Sequence, residues 1–254
     1  MFIFIGYQIE NYLTMNTVVI FAGGSGNRMN SKARPKQFLQ FYGKELIVHT
    51  IENFQNHREI DCIVVACKED WIDYMRQLVH KYDLTKVVSI VAGGETGQMS
   101  IYNGLVAIEK IVSEDPHSVV LIHDGVRPFV DESLISSCIE SVKQHGSAIT
   151  VVPATETIVT TEGNQIKTIT DRSKCYLAKA PQCFYLDEIL AAHRKAQQEG
   201  NINMIDSASL MQHYGHTLHT VSGNFDNIKI TTPADFYTFR ALYEVRENQQ
   251  IFGL

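Results

Sequence analysis

The sequence predicts an α/β protein: a mostly parallel sheet with helices on both faces, plus one projecting β-arm. Three observations predict it. Short continuous apolar runs alternate with longer segments of helical periodicity, as in strands buried on both faces by crossover helices. The length, 254 residues, suits one domain of this class. From about residue 153 to 175 the alternation breaks, and two polar β-rich stretches flank a turn.

Taken in order, Val18-Val19-Ile20-Phe21 reads as a buried strand, followed by an amphipathic helix from about Glu45 to Phe54. Cys62–Cys67 precedes a helix at Trp71–Tyr82, and Val87–Val91 precedes one at Ser100–Val112. Val119–Ile122 precedes Leu134–Gln144, and Ala148–Val152 closes this series. Thr157–Thr161 and Ile166–Thr170 then flank Glu162-Gly163-Asn164, a hairpin signal too polar for a core. Helices at Leu186–Gln198 and Ile205–His213 follow, then strands at Leu218–Val221 and Asn227–Ile230. The last helix starts at Pro233, which suits a first helical turn. Residues 1–14 read as an N-terminal extension and 15–254 as a single domain, with the arm at about 153–175.

Lys and Arg number 22 against 28 Asp and Glu, a formal charge of −6. That balance gives no electrostatic case for a nucleic-acid partner. The five cysteines (Cys62, Cys67, Cys138, Cys175, Cys183) form no C-x-x-C pair, so neither a disulfide framework nor a zinc site is expected. No apolar run reaches membrane-spanning length, and residues 1–14 lack the basic start and small-residue cleavage site of a signal peptide. The expectation is a cytoplasmic protein with no membrane partner.

The chemistry concentrates at the ends of the predicted strands. Ala22-Gly23-Gly24-Ser25-Gly26-Asn27-Arg28 follows the first strand, with Pro35-Lys36-Gln37-Phe38 behind it. Glycines let backbone N–H groups close around an anion, and Arg28 and Lys36 add full positive charge. The spacing is neither the dinucleotide fingerprint nor a Walker A loop, so the loop alone also reads as a tight strand-to-helix turn. Gly93-Gly94 follows the third strand. Ser100 beyond it reads as a contact to a base or, more simply, as a helix cap. His123-Asp124-Gly125-Val126-Arg127-Pro128 follows the fourth. Ligands bind at the carboxyl ends of parallel strands, which places Asp124 as a Mg²⁺ ligand and Arg127 as an anion contact. The plain alternatives are a cap for Asp124 and a surface ion pair for Arg127. Asp226 and Lys229, three apart, suit metal and phosphate, or a turn with a solvated lysine.

Taken as an ordered set, Ala22–Met29, Pro35–Phe38, Gly93-Gly94, His123–Pro128, Pro181-Gln182 and Asn227–Thr232 resemble the cytidylyltransferases of polyol phosphates over roughly residues 16–245. That family includes enzymes for 2-C-methyl-D-erythritol 4-phosphate and for D-ribitol 5-phosphate. The resemblance implies a Rossmann-like nucleotidyltransferase fold and transfer of CMP from CTP, with Mg²⁺ as cofactor. It implies catalytic roles for Arg28, Lys36 and Lys229. The nucleotide would meet Ala22, Gly23, Gly24, Gly26, Gly94, Ser100 and Asp124, and Asp124 and Asp226 would hold the metal. It further implies a homodimer through the arm, so that Thr157 and Arg172 reach the polyol phosphate bound mainly by the other subunit. Arg127, Asp226 and Lys229 would complete that substrate site.

Three positions depart from the family pattern. Gly97 stands where a loop Arg is usual, Ala180 stands where a Thr precedes Pro181-Gln182, and Gly125, a milder change, stands where Ala or Ser is usual. The two acceptors remain equal alternatives on these residues. A nucleotidyltransferase for another sugar phosphate, or a dimer that binds nucleotide without catalysis, are the rival readings.

Overall fold

The computed structural model describes residues 14–23, 34–112 and 117–252. Their centre is a seven-stranded sheet. It is built from β1 (Asn16–Ala22), β4 (Cys62–Cys67), β5 (Val87–Ala92), β6 (Val119–Asp124), β7 (Ser147–Pro153), β10 (Tyr176–Tyr185) and β11 (Thr220–Ser222). The spatial order is β11-β7-β10-β6-β1-β4-β5, and only β10 runs antiparallel to its neighbours.

Alternation along each strand splits the core in two. Val18, Ile20, Ile63, Val65, Val119 and Leu121 face one cluster, joined by α1 (Leu46–Gln55), α2 (Ile72–Lys81) and α4 (Glu132–His145). Val19, Cys62, Val64, Val120 and Ile122 face the other, joined by α3 (Gly97–Ile111), α5 (Leu186–Gln198) and α6 (Ser207–His213). Successive strand residues point to opposite faces, so continuous apolar strands need both layers of helix. A third cluster packs Phe239 of α7 (Pro233–Phe252) on Phe41 and Leu46. Phe41 belongs to the small hairpin of β2 (Gln40–Phe41) and β3 (Lys44–Glu45).

The arm is the hairpin β8 (Val159–Glu162) with β9 (Gln165–Ile169), as expected. Its stem continues into the sheet: Pro153 on β7 pairs with Tyr176 on β10.

Three local expectations are corrected. Thr96, not Ser100, caps α3, because its side chain accepts from the Met99 N–H and the helix starts at Gly97. Asn227–Ile230 is not a strand. Its carbonyls go to side chains instead of a ladder, Asn227 O to Arg127 and Ile230 O to Lys36. And β10, which no strand was expected to supply, fills the gap between β6 and β7.

Candidate active site

The ends of four parallel strands reach the same level, because Ala22 pairs with Cys67, Cys67 with Ala92, and Phe21 with Asp124. Beside them, β10 loses its register with β7 between Ala178 and Gln182. A cavity of about 530 Å³ opens there, lined among others by Phe21, Gly97, Asp124, Arg127, Lys179, Gln182, His193, Asp206 and Lys229.

Asp124 is its electrostatic centre. The carboxylate is 8% exposed and accepts from Arg127 Nε at 2.8 Å and Lys229 Nζ at 2.6 Å. Burial alone would raise its pKa. Lys229 and then Arg127 outweigh burial and hold the carboxyl at about 2. Asp124 is not a helix cap, since Asp131 caps α4. Nor is Arg127 a surface ion pair: its side chain is 11% exposed and also donates to Asn227 O at 2.9 Å. His123 sits behind the turn with its Nε2 3.0 Å from Arg127 O, and burial pushes its pKa down to about 4. The neutral ring therefore braces the turn.

Lys36 Nζ donates to Ile230 O at 3.0 Å, joining the Pro35–Phe38 segment to the loop that carries Lys229. Gln37, which the sequence reading gave no role, is buried and donates to Ala22 O at 2.6 Å. It locks that segment against the end of β1. Gly23, Gly94 and Ser100 form one unit. The Ser100 hydroxyl is buried, accepts from Gly94 N–H at 3.0 Å and donates to Thr96 O at 2.9 Å. A Cβ on Gly23 would stand 2.6 Å from Ser100 Oγ, so a side chain there would displace the Ser100 hydroxyl from these contacts. Gly24, Gly26 and Arg28 lie outside the described residues.

Asp226 lies on the loop before Lys229, with its carboxylate 3.9 Å from Arg246. It is not among the residues that line the cavity with Asp124. Thr157 and Arg172 stand exposed at the arm, where Arg172 donates to Thr155 O at 3.2 Å, and neither lines this chain's own cavity.

Other cavity residues were missed. Gln182 donates to Asp206 Oδ2 and accepts from Ala208 N–H, both at 2.9 Å, tying β10 to the start of α6. Its place after Pro181 was the only signal. His193 is buried, and neither ring nitrogen has a hydrogen-bond partner among the described residues. Nothing in the sequence of α5 marks it. Lys179 also went unnoticed.

The arrangement is a strand-end cavity whose cations outnumber their carboxylate partner. It can hold phosphate groups and stabilise charge that develops on them. The family model for 2-C-methyl-D-erythritol 4-phosphate cytidylyltransferase (IspD) matches residues 16–244. Over 241 residues the chain is 54% identical to the ribitol-5-phosphate cytidylyltransferase of Streptococcus agalactiae, covering 94% of this chain and 100% of that one. Over 231 residues it is 38% identical to the 2-C-methyl-D-erythritol 4-phosphate cytidylyltransferase of Clostridium acetobutylicum, covering 90% and 97%. The 4-diphosphocytidyl-2C-methyl-D-erythritol synthase structure from Anaerococcus prevotii matches with a TM-score of 0.77 at 27% identity, covering 91% and 96%.

Proposed function

We propose, because this chain belongs to the 2-C-methyl-D-erythritol 4-phosphate cytidylyltransferase family, that it transfers CMP from CTP to ribitol 5-phosphate with release of pyrophosphate. The family membership carries the reaction. The choice of acceptor rests on one observation: 54% identity over the full length of a ribitol-5-phosphate enzyme, against 38% for a methylerythritol enzyme.

The site's chemistry supports the reaction. A phosphate oxygen of the acceptor is already an anion, so attack on the α-phosphorus needs no general base. Catalysis rests on in-line positioning and on cations that meet the growing charge. Lys36, held at Ile230 O, and Lys229, held at Asp124, would take that role, with Arg28. The backbone of Ala22, Gly23, Gly24 and Gly26 would cradle the triphosphate. Gly94, positioned by Ser100, would meet the nucleotide, and Arg127 the acceptor.

Mg²⁺ is the proposed cofactor. Among the described residues no group of three or more His, Cys, Asp or Glu could hold a metal. Asp124 still fits an ion that keeps only one or two carboxylate ligands and takes the rest from substrate phosphates and water. Asp124, on giving up one of its contacts with Arg127 and Lys229, would hold it together with Asp226, and when bound it would neutralise charge on the phosphate oxygens.

The arm supports a homodimer. It leaves Ile166 and Ile169 61% and 69% exposed, apolar surface that a second subunit would cover. Thr157 and Arg172 would then serve the partner's acceptor site. A cytoplasmic setting accords with a chain in which no described helix is long and apolar enough to cross a membrane.

The test is pyrophosphate release from CTP with Mg²⁺, offering ribitol 5-phosphate and 2-C-methyl-D-erythritol 4-phosphate in parallel. Release with ribitol 5-phosphate alone is the expected result. Release with only the other acceptor reverses the choice, and release with neither overturns the reading.

A further inference from the structure

Lys179 sits where β10 breaks register with β7, between Ala178 and Gln182. A break of this kind beside a site redirects side chains away from the sheet. Lys179 accordingly lines the cavity next to Arg127, Asp124 and Lys229. Its ammonium donates to Phe225 O at 2.9 Å and Asn224 O at 3.2 Å. An ammonium has three donors, so one remains without a partner among the described residues.

The charge around it is unbalanced. No carboxylate lies within ion-pair reach of Lys179 among the described residues. Asp124 is already occupied, one oxygen by Arg127 and the other by Lys229. Burial and then the neighbouring Arg127 charge lower the Lys179 pKa, while Asp226 opposes them from farther off. A part-buried ammonium beside a second cation is costly until an anion arrives. A phosphomonoester answers that need, with up to two negative charges and three acceptor oxygens.

We propose that Lys179 binds the phosphate of the acceptor, beside Arg127, and is a further residue that selects for a phosphorylated substrate. The inference rests on the reading of this cavity as the acceptor site. The contacts to Asn224 and Phe225 give Lys179 a fixed starting position, on the loop that also presents Lys229.

The test compares the full-length wild type with Lys179→Met and Lys179→Arg. Pyrophosphate release is measured with ribitol 5-phosphate varied at saturating CTP, and the reverse. Broadening of the ³¹P line of inorganic phosphate reports anion binding without turnover. Lys179→Met should raise the acceptor KM about ten- to hundredfold, the scale of one lost charge-assisted hydrogen bond. The KM for CTP and the urea midpoint should hold, Lys179→Arg should restore most of the acceptor affinity, and phosphate broadening should fall with Lys179→Met. An acceptor KM within twofold of wild type overturns the proposal. So does a parallel rise of both KM values with a lower urea midpoint, which would mean that Lys179 only clamps the loop. If the wild type turns over neither polyol phosphate, the proposed function fails on its own. The phosphate line then still decides for Lys179: reduced broadening supports it and unchanged broadening overturns it.

Discussion

Replacing Asp124 by Asn tests the electrostatic centre of the cavity directly. The change keeps the shape and one accepting oxygen but removes the charge that Arg127 and Lys229 share. The carboxyl titrates at about 2 against an ordinary value of 3.8. At 1.36 kcal/mol per pH unit, that interval stabilises the native state by about 2 kcal/mol at neutral pH. The Asn variant also leaves Arg127 buried without a counter-charge, a situation that costs roughly 3–5 kcal/mol when a buried pair is broken outright. Lys229, 42% exposed, adds less because solvent screens it. The expected loss is therefore about 2–4 kcal/mol at pH 7. The sign of its pH dependence follows from the depressed pKa. The stabilisation is complete above the ordinary value and is lost as pH falls toward the folded one, with about half remaining at pH 3. Urea unfolding of both proteins at pH 7, 5 and 3 reads this. The gap should stay constant from pH 7 to 5 and shrink by pH 3. A gap under about 0.5 kcal/mol at pH 7, or one unchanged at pH 3, would refute the argument.

Two further perturbations probe other parts of the site. Lys36→Ala should lower kcat by about 10²–10³, the scale for one lost preorganised electrostatic group, and unchanged turnover would remove Lys36 from the transition state. His193→Leu removes a buried ring whose nitrogens have no partner among the described residues, and should raise stability at pH 7 by about 1–3 kcal/mol. Burial holds the His193 pKa at about 4 against an ordinary 6.5, so the unfolded chain takes up the proton first and wild-type stability falls between those values. In urea titrations the advantage of the Leu variant should therefore widen from pH 7 to pH 4. A destabilised variant whose gap to wild type does not change with pH would contradict this.

How much of this was legible in the sequence varies by element. Val18–Phe21, Cys62–Cys67 and Val119–Ile122 were plain because strands covered on both faces need no polar side, and their apolar runs are continuous. The strand β10 was hidden. Its first residues, Tyr176 and Leu177, are exposed, and Pro181 sits inside a central strand, where proline removes a ladder hydrogen bond. The register break accommodates it, and only the three-dimensional arrangement reveals that. Asn227–Ile230 misled in the opposite direction. Ile228 and Ile230 alternate like a strand but pack with Phe239 on the third cluster, while side chains take the backbone carbonyls. Asp124 and Arg127 were found because motifs at strand ends converge by topology, and Lys229 through the family resemblance. Lys179 carries no such mark, and the burial of Ser100 depends on its contact with Gly23, 77 positions away in the chain.

The place of β10 also bears on how the molecule comes into being. The strands β6 and β7 follow each other in the chain, yet β10 separates them in space. A growing chain therefore completes both strands, and then the arm, before the piece that joins them is made. Until residues 176–185 emerge, β6 and β7 each present an open edge, and edges of that kind recruit other chains. The wall of the cavity formed by Ala178, Lys179 and Gln182 arrives in that same closing step. A chain that stops at the arm is thus no smaller version of the enzyme, but a sheet split at its middle.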